Sequence, residues 1–151
     1  MKLAEILARE CVRVPLEATD KAAAITELVD LLDRAERIHD RDTVLKAVLD
    51  RERAASTGIG NGLAIPHGKC DGCTDLTMAV GKPAAPIDFA SKDGKPVNVI
   101  VLLASPVDKV GPHIEALAHI ARLMRMDDFR RSVERVGSAD ELYDLIISHD
   151  R

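Results

Sequence analysis

One histidine, His67, ends a run of residues built for unusual backbone: Ser56-Thr57-Gly58-Ile59-Gly60-Asn61-Gly62-Leu63-Ala64-Ile65-Pro66-His67-Gly68. Gly58, Gly60 and Gly62 alternate, and glycine reaches conformations that a side chain forbids and brings backbone N–H groups close to a ligand. Successive N–H groups in such a turn form a concavity suited to an anion. Pro66 stiffens the approach to His67, and Gly68 leaves room beside it. A histidine presented in this way serves as a nucleophile, a base or a metal ligand. Anion-cradling backbone next to an imidazole points first to phosphoryl chemistry.

Two common phosphate loops are excluded. The dinucleotide fingerprint needs a third glycine where Leu63 stands. The nucleotide P-loop ends in Gly-Lys-Ser/Thr, whereas Gly68-Lys69 is followed by Cys70 and Gly62 lies one residue too far upstream. A nucleotide is therefore not the expected ligand.

The run Ser-Thr-Gly-Ile-Gly-Asn-Gly-x-Ala-Ile-Pro-His-Gly-Lys resembles the active-site signature of the fructose/mannitol-type enzyme IIA domains of the bacterial phosphotransferase system. It is most similar to their free-standing nitrogen-regulatory branch. The similarity extends to the helix ending at Arg51, to Pro112-His113-Ile114-Glu115-Ala116-Leu117-Ala118, and to Ser138-Ala139-Asp140-Glu141-Leu142-Tyr143. The resemblance implies a phosphorelay. A small histidine-containing phosphocarrier protein, charged by enzyme I from phosphoenolpyruvate, would donate to His67. The group would pass on to a cysteine of a IIB domain, or stay as a signal to a regulatory target protein. No cofactor, metal or nucleotide is expected at His67, because the donor is already activated.

Other residues fall into place around His67. A neutral imidazole attacks phosphorus through one nitrogen, while the other keeps its proton on an acceptor that the sequence does not name. His113 stands at a helix start, where it either caps and packs or donates to a phosphoryl oxygen with help from the helix dipole; the resemblance favours the second role. An arginine pairs two phosphoryl oxygens at once, but spacing does not choose between Arg51 and Arg53, and Arg51-Glu52-Arg53 reads as an exposed charge run. The resemblance selects Arg51. Ser56 and Thr57 either bind phosphoryl oxygens or hold the turn, and Gly58, Gly60 and Gly62 shape the phosphoryl-binding loop. Ile59, Leu63 and Ile65 offer an apolar rim for a carrier, or core. His119 shares no helical face with His113, and His39 and His149 read as surface residues. His67-x-x-Cys70-x-x-Cys73 has a spacing that also suits zinc or a redox pair, a reading from a different class.

Composition narrows the field. The chain has 151 residues, a size for one domain over residues 1–151. It is 46% hydrophobic but 2% aromatic, with no tryptophan, so the core must be mostly Ala, Leu, Val and Ile, and no platform for stacking bases exists. A net charge of -4 argues against nucleic acid. Met1-Lys2-Leu3-Ala4-Glu5 puts a carboxylate where an export signal is apolar, and the longest apolar run, Val97 to Ala104, is too short for a bilayer. Three cysteines then read as reduced thiols of a cytoplasmic protein with no membrane insertion.

The elements that must position these groups follow from periodicity. Leu3 to Arg9 reads as a short helix and Cys11 to Leu16 as a strand ended by Pro15. Thr19 caps a helix that presents Ala24, Ile25, Leu28, Leu31 and Leu32. Asp40 caps a second through Val44, Leu45, Val48 and Leu49, ending near Arg51 to Ala54. Leu76 to Val80, Ile87 to Phe89 and Val97 to Leu103 read as strands, the last buried on both faces. Gly111-Pro112 opens a helix whose apolar side is Ile114, Leu117, Ala118, Ala121 and Leu123 or Met124. Asp127-Asp128 starts another helix, and Ser138-x-x-Glu141 caps the last. Interleaved helices and strands with short connections predict a single α/β domain, a mixed parallel/antiparallel central sheet with helices on both faces.

Overall fold

The computed structural model describes residues 2–150; Met1 and Arg151, the two ends of the expected domain range, lie outside them. After a 3₁₀ turn at Leu3–Glu5 come strand β1 (Leu7–Leu16) and helices α1 (Lys21–Arg34) and α2 (Arg41–Ala54). The histidine run makes three short strands, β2 (Gly58–Gly60), β3 (Leu63–Ala64) and β4 (His67–Lys69). Strands β5 (Thr77–Pro83) and β6 (Val99–Ser105) follow, then helices α3 (Val110–Met124), α4 (Asp127–Arg135) and α5 (Ala139–Ser148).

The sheet runs β1-β5-β6-β3-β2, with β4 also paired to β6. It is mixed, as expected: β1 lies parallel to β5, β5 antiparallel to β6, and β3 and β4 parallel to β6. All of β6 is buried, which is why it reads as a continuous apolar run. Side chains alternate across a sheet, so Met78, Val80, Val99 and Val101 face α3, α4 and α5. The opposite face takes the apolar stripe of α1, where Ala24, Ile25, Leu28, Leu31 and Leu32 are buried as their spacing predicts.

Four expectations are corrected. The helix expected over Leu3 to Arg9 is one 3₁₀ turn, and β1 already begins at Leu7, paired with Met78. Long-range pairing with β5 overrides the helix propensity of Leu-Ala-Glu. Pro15 does not end the strand, because β1 is an edge and a residue without an N–H is tolerated there. The cap of α1 is Asp20 rather than Thr19; its Oδ1 accepts from the Ala23 N–H at 2.8 Å. Finally, Ile87 to Phe89 is no strand. Ile87 makes an isolated bridge to Val97.

The caps of α2 and α5 are as read. Asp40 accepts from the Thr43 N–H and Oγ1, and the Ser138 hydroxyl accepts from the Glu141 N–H. These caps fix where α2 begins, and so where Arg51 and Glu52 emerge at its far end.

Candidate functional site

His67 opens β4, opposite Leu103 of β6, and is half-buried. Its Nδ1 lies 2.8 Å from the Ile65 carbonyl oxygen. A carbonyl only accepts, so Nδ1 carries the proton and Nε2 keeps its lone pair. This is the acceptor the sequence left unnamed: a backbone atom two residues upstream, presented because the Ile65 N–H is itself fastened to the Thr57 carbonyl at 3.1 Å. Burial holds the His67 pKa below the ordinary histidine value; the Ile65 carbonyl opposes that and the Arg51 charge adds to it. The ring is therefore neutral at pH 7.

Next to it, 5.2 Å between ring centroids and edge-on, sits His113. It is 2% exposed, and neither ring nitrogen has a hydrogen-bond partner. Burial, then the neighbouring His67 and Lys69 charges, push its pKa down to about 4. Buried polar atoms are nearly always paired, so two free nitrogens against His67 leave binding capacity unused inside the chain.

A groove of about 420 Å³ runs past His67 between two walls. The α2 side contributes Arg51, Ser56 and Thr57, and α3 contributes Ile114, Leu117, Ala118 and Ala121. Lys92 lines the groove as well. Ile59, 39% exposed, and Ile65 reach the groove, whereas Leu63 is core.

Gly60 and Gly62 lie at the turn of the β2–β3 hairpin, with φ of 100° and 77°. These backbone angles suit glycine. A Cβ on Gly58 would sit 2.2 Å from the Ser91 hydroxyl, so that strand packs too closely for any side chain. The N–H groups of Thr57, Gly58 and Asn61 already donate to Glu52, Ser56 and Asp93.

Sequence reasoning missed Glu52. It is not part of an exposed charge run but 5% exposed. Its carboxylate accepts from the Thr57 N–H at 2.9 Å and from Thr57 Oγ1, and pairs with Lys21 Nζ at 3.0 Å. The signal was present: Val44, Val48 and Glu52 fall on one stripe of α2, and all three are buried. The expected apolar side of α3 holds for Leu123 and Met124, which are buried, and fails for Ile114, Leu117, Ala118 and Ala121, which line the groove. Its buried side is His113, Ala116, His119, Ile120, Leu123 and Met124, and Ile114 is 58% exposed. The helix is apolar on two sides, one for the sheet and one for the groove. His119, expected to share no helical face with His113, is buried with it on that first side, and His149, expected at the surface, is half-buried, edge-on to Phe129.

A family model described as "Phosphoenolpyruvate-dependent sugar phosphotransferase system, EIIA 2" matches residues 5–149. The chain belongs to this family. It is similar to the fructose-specific EIIABC component of the phosphotransferase system of Bacillus subtilis (strain 168), at 32% identity over 151 residues, all of this chain but 24% of that protein. It therefore spans about a quarter of that relative. It is also similar to a nitrogen regulatory protein of Escherichia coli (strain K12), at 34% identity over 149 residues, covering 97% of this chain and 90% of that one. The crystal structure of nitrogen regulatory protein IIA-Ntr from Neisseria meningitidis matches with a TM-score of 0.83 at 30% identity, over 95% of this chain and 98% of that one.

As an EIIA type-2 domain the chain is a phosphoryl carrier of the phosphotransferase system. In and beside its groove lie an imidazole with its Nδ1 held by a carbonyl, an arginine and a buried histidine whose ring nitrogens lack partners. Among the described residues no helix is long and apolar enough to cross a membrane, and no group of three or more His, Cys, Asp or Glu side chains is arranged to hold a metal ion.

Proposed function

We propose that this EIIA domain accepts its phosphoryl group on Nε2 of His67. The observation that supports this reading is the pinned Nδ1, 2.8 Å from the Ile65 carbonyl, beside a buried His113 with no partner for either nitrogen. The donor is a phosphohistidine of the small phosphocarrier protein. The Nε2 lone pair forms the new N–P bond as the donor's N–P bond breaks and its electron pair returns to the donor ring. No proton has to leave His67, because Nε2 carries none. Arg51 offsets the charge on the equatorial oxygens, Ser56 and Thr57 border them, and a neutral His113 donates one N–H to an oxygen. The apolar walls around Ile59 and Ile114 seat the carrier.

Two fates are open to the phosphoryl group. Likeness to the fructose-specific component supports transfer to a IIB cysteine in sugar uptake. Likeness to nitrogen regulatory proteins, which the chain spans nearly end to end, supports a signal to a regulatory target. Phosphorylation adds about -1.5 to -2 charges to a partner-facing groove, enough to switch such binding. Mass spectrometry after incubation with phosphoenolpyruvate, enzyme I and the phosphocarrier tests the common step. An acid-labile phosphoryl group on wild type and none on His67→Ala is the expected result. Loading of the His67→Ala variant would overturn it. Transfer onward to a IIB cysteine then separates uptake from regulation.

A further inference from the structure

The segment Cys70-Asp71-Gly72-Cys73 has no part in the chemistry above, yet it touches both elements that carry the site. Cys70 follows β4 directly, and its N–H donates to the Ser105 carbonyl at 3.0 Å, prolonging the ladder that holds His67 against β6. Two residues on, the Gly72 carbonyl accepts from the His39 and Asp40 N–H groups at 2.9 and 3.1 Å, at the start of α2. The turn therefore ties the strand of His67 to the helix of Arg51 and Glu52. It also lies hard against α2: a Cβ on Gly72 would meet Val44 at 2.8 Å and the Asp40 carbonyl at 2.9 Å.

The two thiols stand at the two ends of this turn. Cys70 Sγ lies over Gly72, 3.4 Å from where that Cβ would stand. Cys73 is 3% exposed and its thiol is pushed up to about 12, first by burial and then by the adjoining Cys70 thiol. Cys70 is half-buried and reachable from solvent. Residues at the two ends of a four-residue turn have Cα atoms within about 7 Å, a spacing that a disulfide spans. The third cysteine, Cys11, is sealed in β1 with no exposure.

We propose that Cys70 and Cys73 form a reversible disulfide whose closure slows phosphoryl loading of His67. The accessible Cys70 attacks a low-molecular-weight disulfide as its thiolate, forming a mixed disulfide and releasing one thiolate. Cys73 gives up its proton as it displaces the second. Two protein thiols and one small disulfide thus become one protein disulfide and two small thiols. Bringing the sulfurs to about 2.05 Å tightens the turn. The turn is anchored on both sides, so the strain reaches β4 and the start of α2 together. A misplacement near 1 Å costs about 10²-fold in such transfers; a smaller shift, costing about tenfold, is expected here. The effect on loading rests on the carrier reading of His67, whereas formation of the bond does not.

The experiment equilibrates wild type and Cys70→Ser in glutathione–glutathione disulfide buffers of graded ratio. Peptide mapping reads the Cys70–Cys73 bond, and loading of His67 from phosphoenolpyruvate, enzyme I and the phosphocarrier is timed on the same samples. The proposal expects the bond to appear as the buffer becomes oxidising, loading to slow about tenfold in step with it, reduction to restore the rate, and Cys70→Ser to stay insensitive. Absence of the bond overturns it. So does a bond with an unchanged rate, or a Cys70→Ser variant that slows as wild type does. Failure of fully reduced wild type to load is the separate failure of the carrier reading, and it removes the effect on loading whatever the mapping shows.

Discussion

The two walls of the groove use polar groups in opposite ways. On the α2 side each polar side chain named already has a partner: Glu52 holds Thr57 and Lys21, Ser56 donates to the Phe89 carbonyl, and Arg51 is steadied by one N–H on the Ala55 carbonyl with the rest of its guanidinium left for a ligand. Behind the α3 side His113, buried with its ring edge-on to His67, has no partner for either nitrogen. One wall is finished and sets the shape; the other is left incomplete and keeps its capacity for a ligand. The energy of an orphaned buried donor, about 1–3 kcal/mol, is a cost that stability alone would have removed.

That contrast breaks most sharply at His113. His113→Phe keeps the ring and discards the two free nitrogens. Loading of His67 is expected to slow about 10²-fold, the loss seen when a single donor to developing charge is removed. Stability should hold or rise by about 1 kcal/mol, since an unsatisfied polar group is replaced by an apolar one. Phosphorylation kinetics and thermal unfolding on one preparation decide it. A variant that loads normally but unfolds more easily would make His113 part of the scaffold and end the contrast.

The finished wall responds in the other sense. Glu52→Ala frees the Thr57 N–H and hydroxyl and leaves Lys21 without its partner. A loss of about 2–3 kcal/mol is expected, read by chemical denaturation. Glu52→Gln keeps an acceptor for one Thr57 donor and should lose about half as much. Equal losses would mean that charge, not hydrogen bonding, fixes the loop. The apolar face of α3 gives a smaller effect still. Ile114 is 58% exposed on the groove, and Ile114→Asp is expected to raise the KM for the phosphocarrier about tenfold while kcat stays nearly constant. A change confined to kcat would remove Ile114 from the docking surface.

These two walls were not equally legible in the sequence. The stripe of α1 and the Asp40 cap of α2 were plain, because each is a local pattern with a single period. Glu52 was hidden by its neighbours: between Arg51 and Arg53 it looks solvated, and only its place on the Val44–Val48 stripe betrays it. On α3 the apolar residues cover two sides, so periodicity gave a helix but not the direction it faces. The histidine run was read as a loop because β3 and β4 are held in the sheet by β6, more than thirty residues downstream, and the β2–β3 hairpin is only a few residues long. The Ile65 carbonyl that fixes the His67 tautomer is backbone, and no side-chain pattern announces it.

Acidification offers the finest distinction between the walls. His113 has its pKa lowered from 6.5 to about 4, so in the folded protein it resists a proton that the unfolded chain accepts. Its contribution to stability is complete above the unfolded value and is lost as pH falls from 6.5 towards 4. From pH 6.5 to about pH 5.5 this amounts to about 1 kcal/mol. His67 and His119, also lowered by burial, act in the same sense, so wild type alone cannot assign the slope. His113→Phe can: the difference between its stability and that of wild type should widen by about 1 kcal/mol over that interval, in favour of the variant as the pH drops. Parallel curves would mean that His113 finds a partner for its proton in the fold, and the α3 wall would then be as fully paired as the α2 wall.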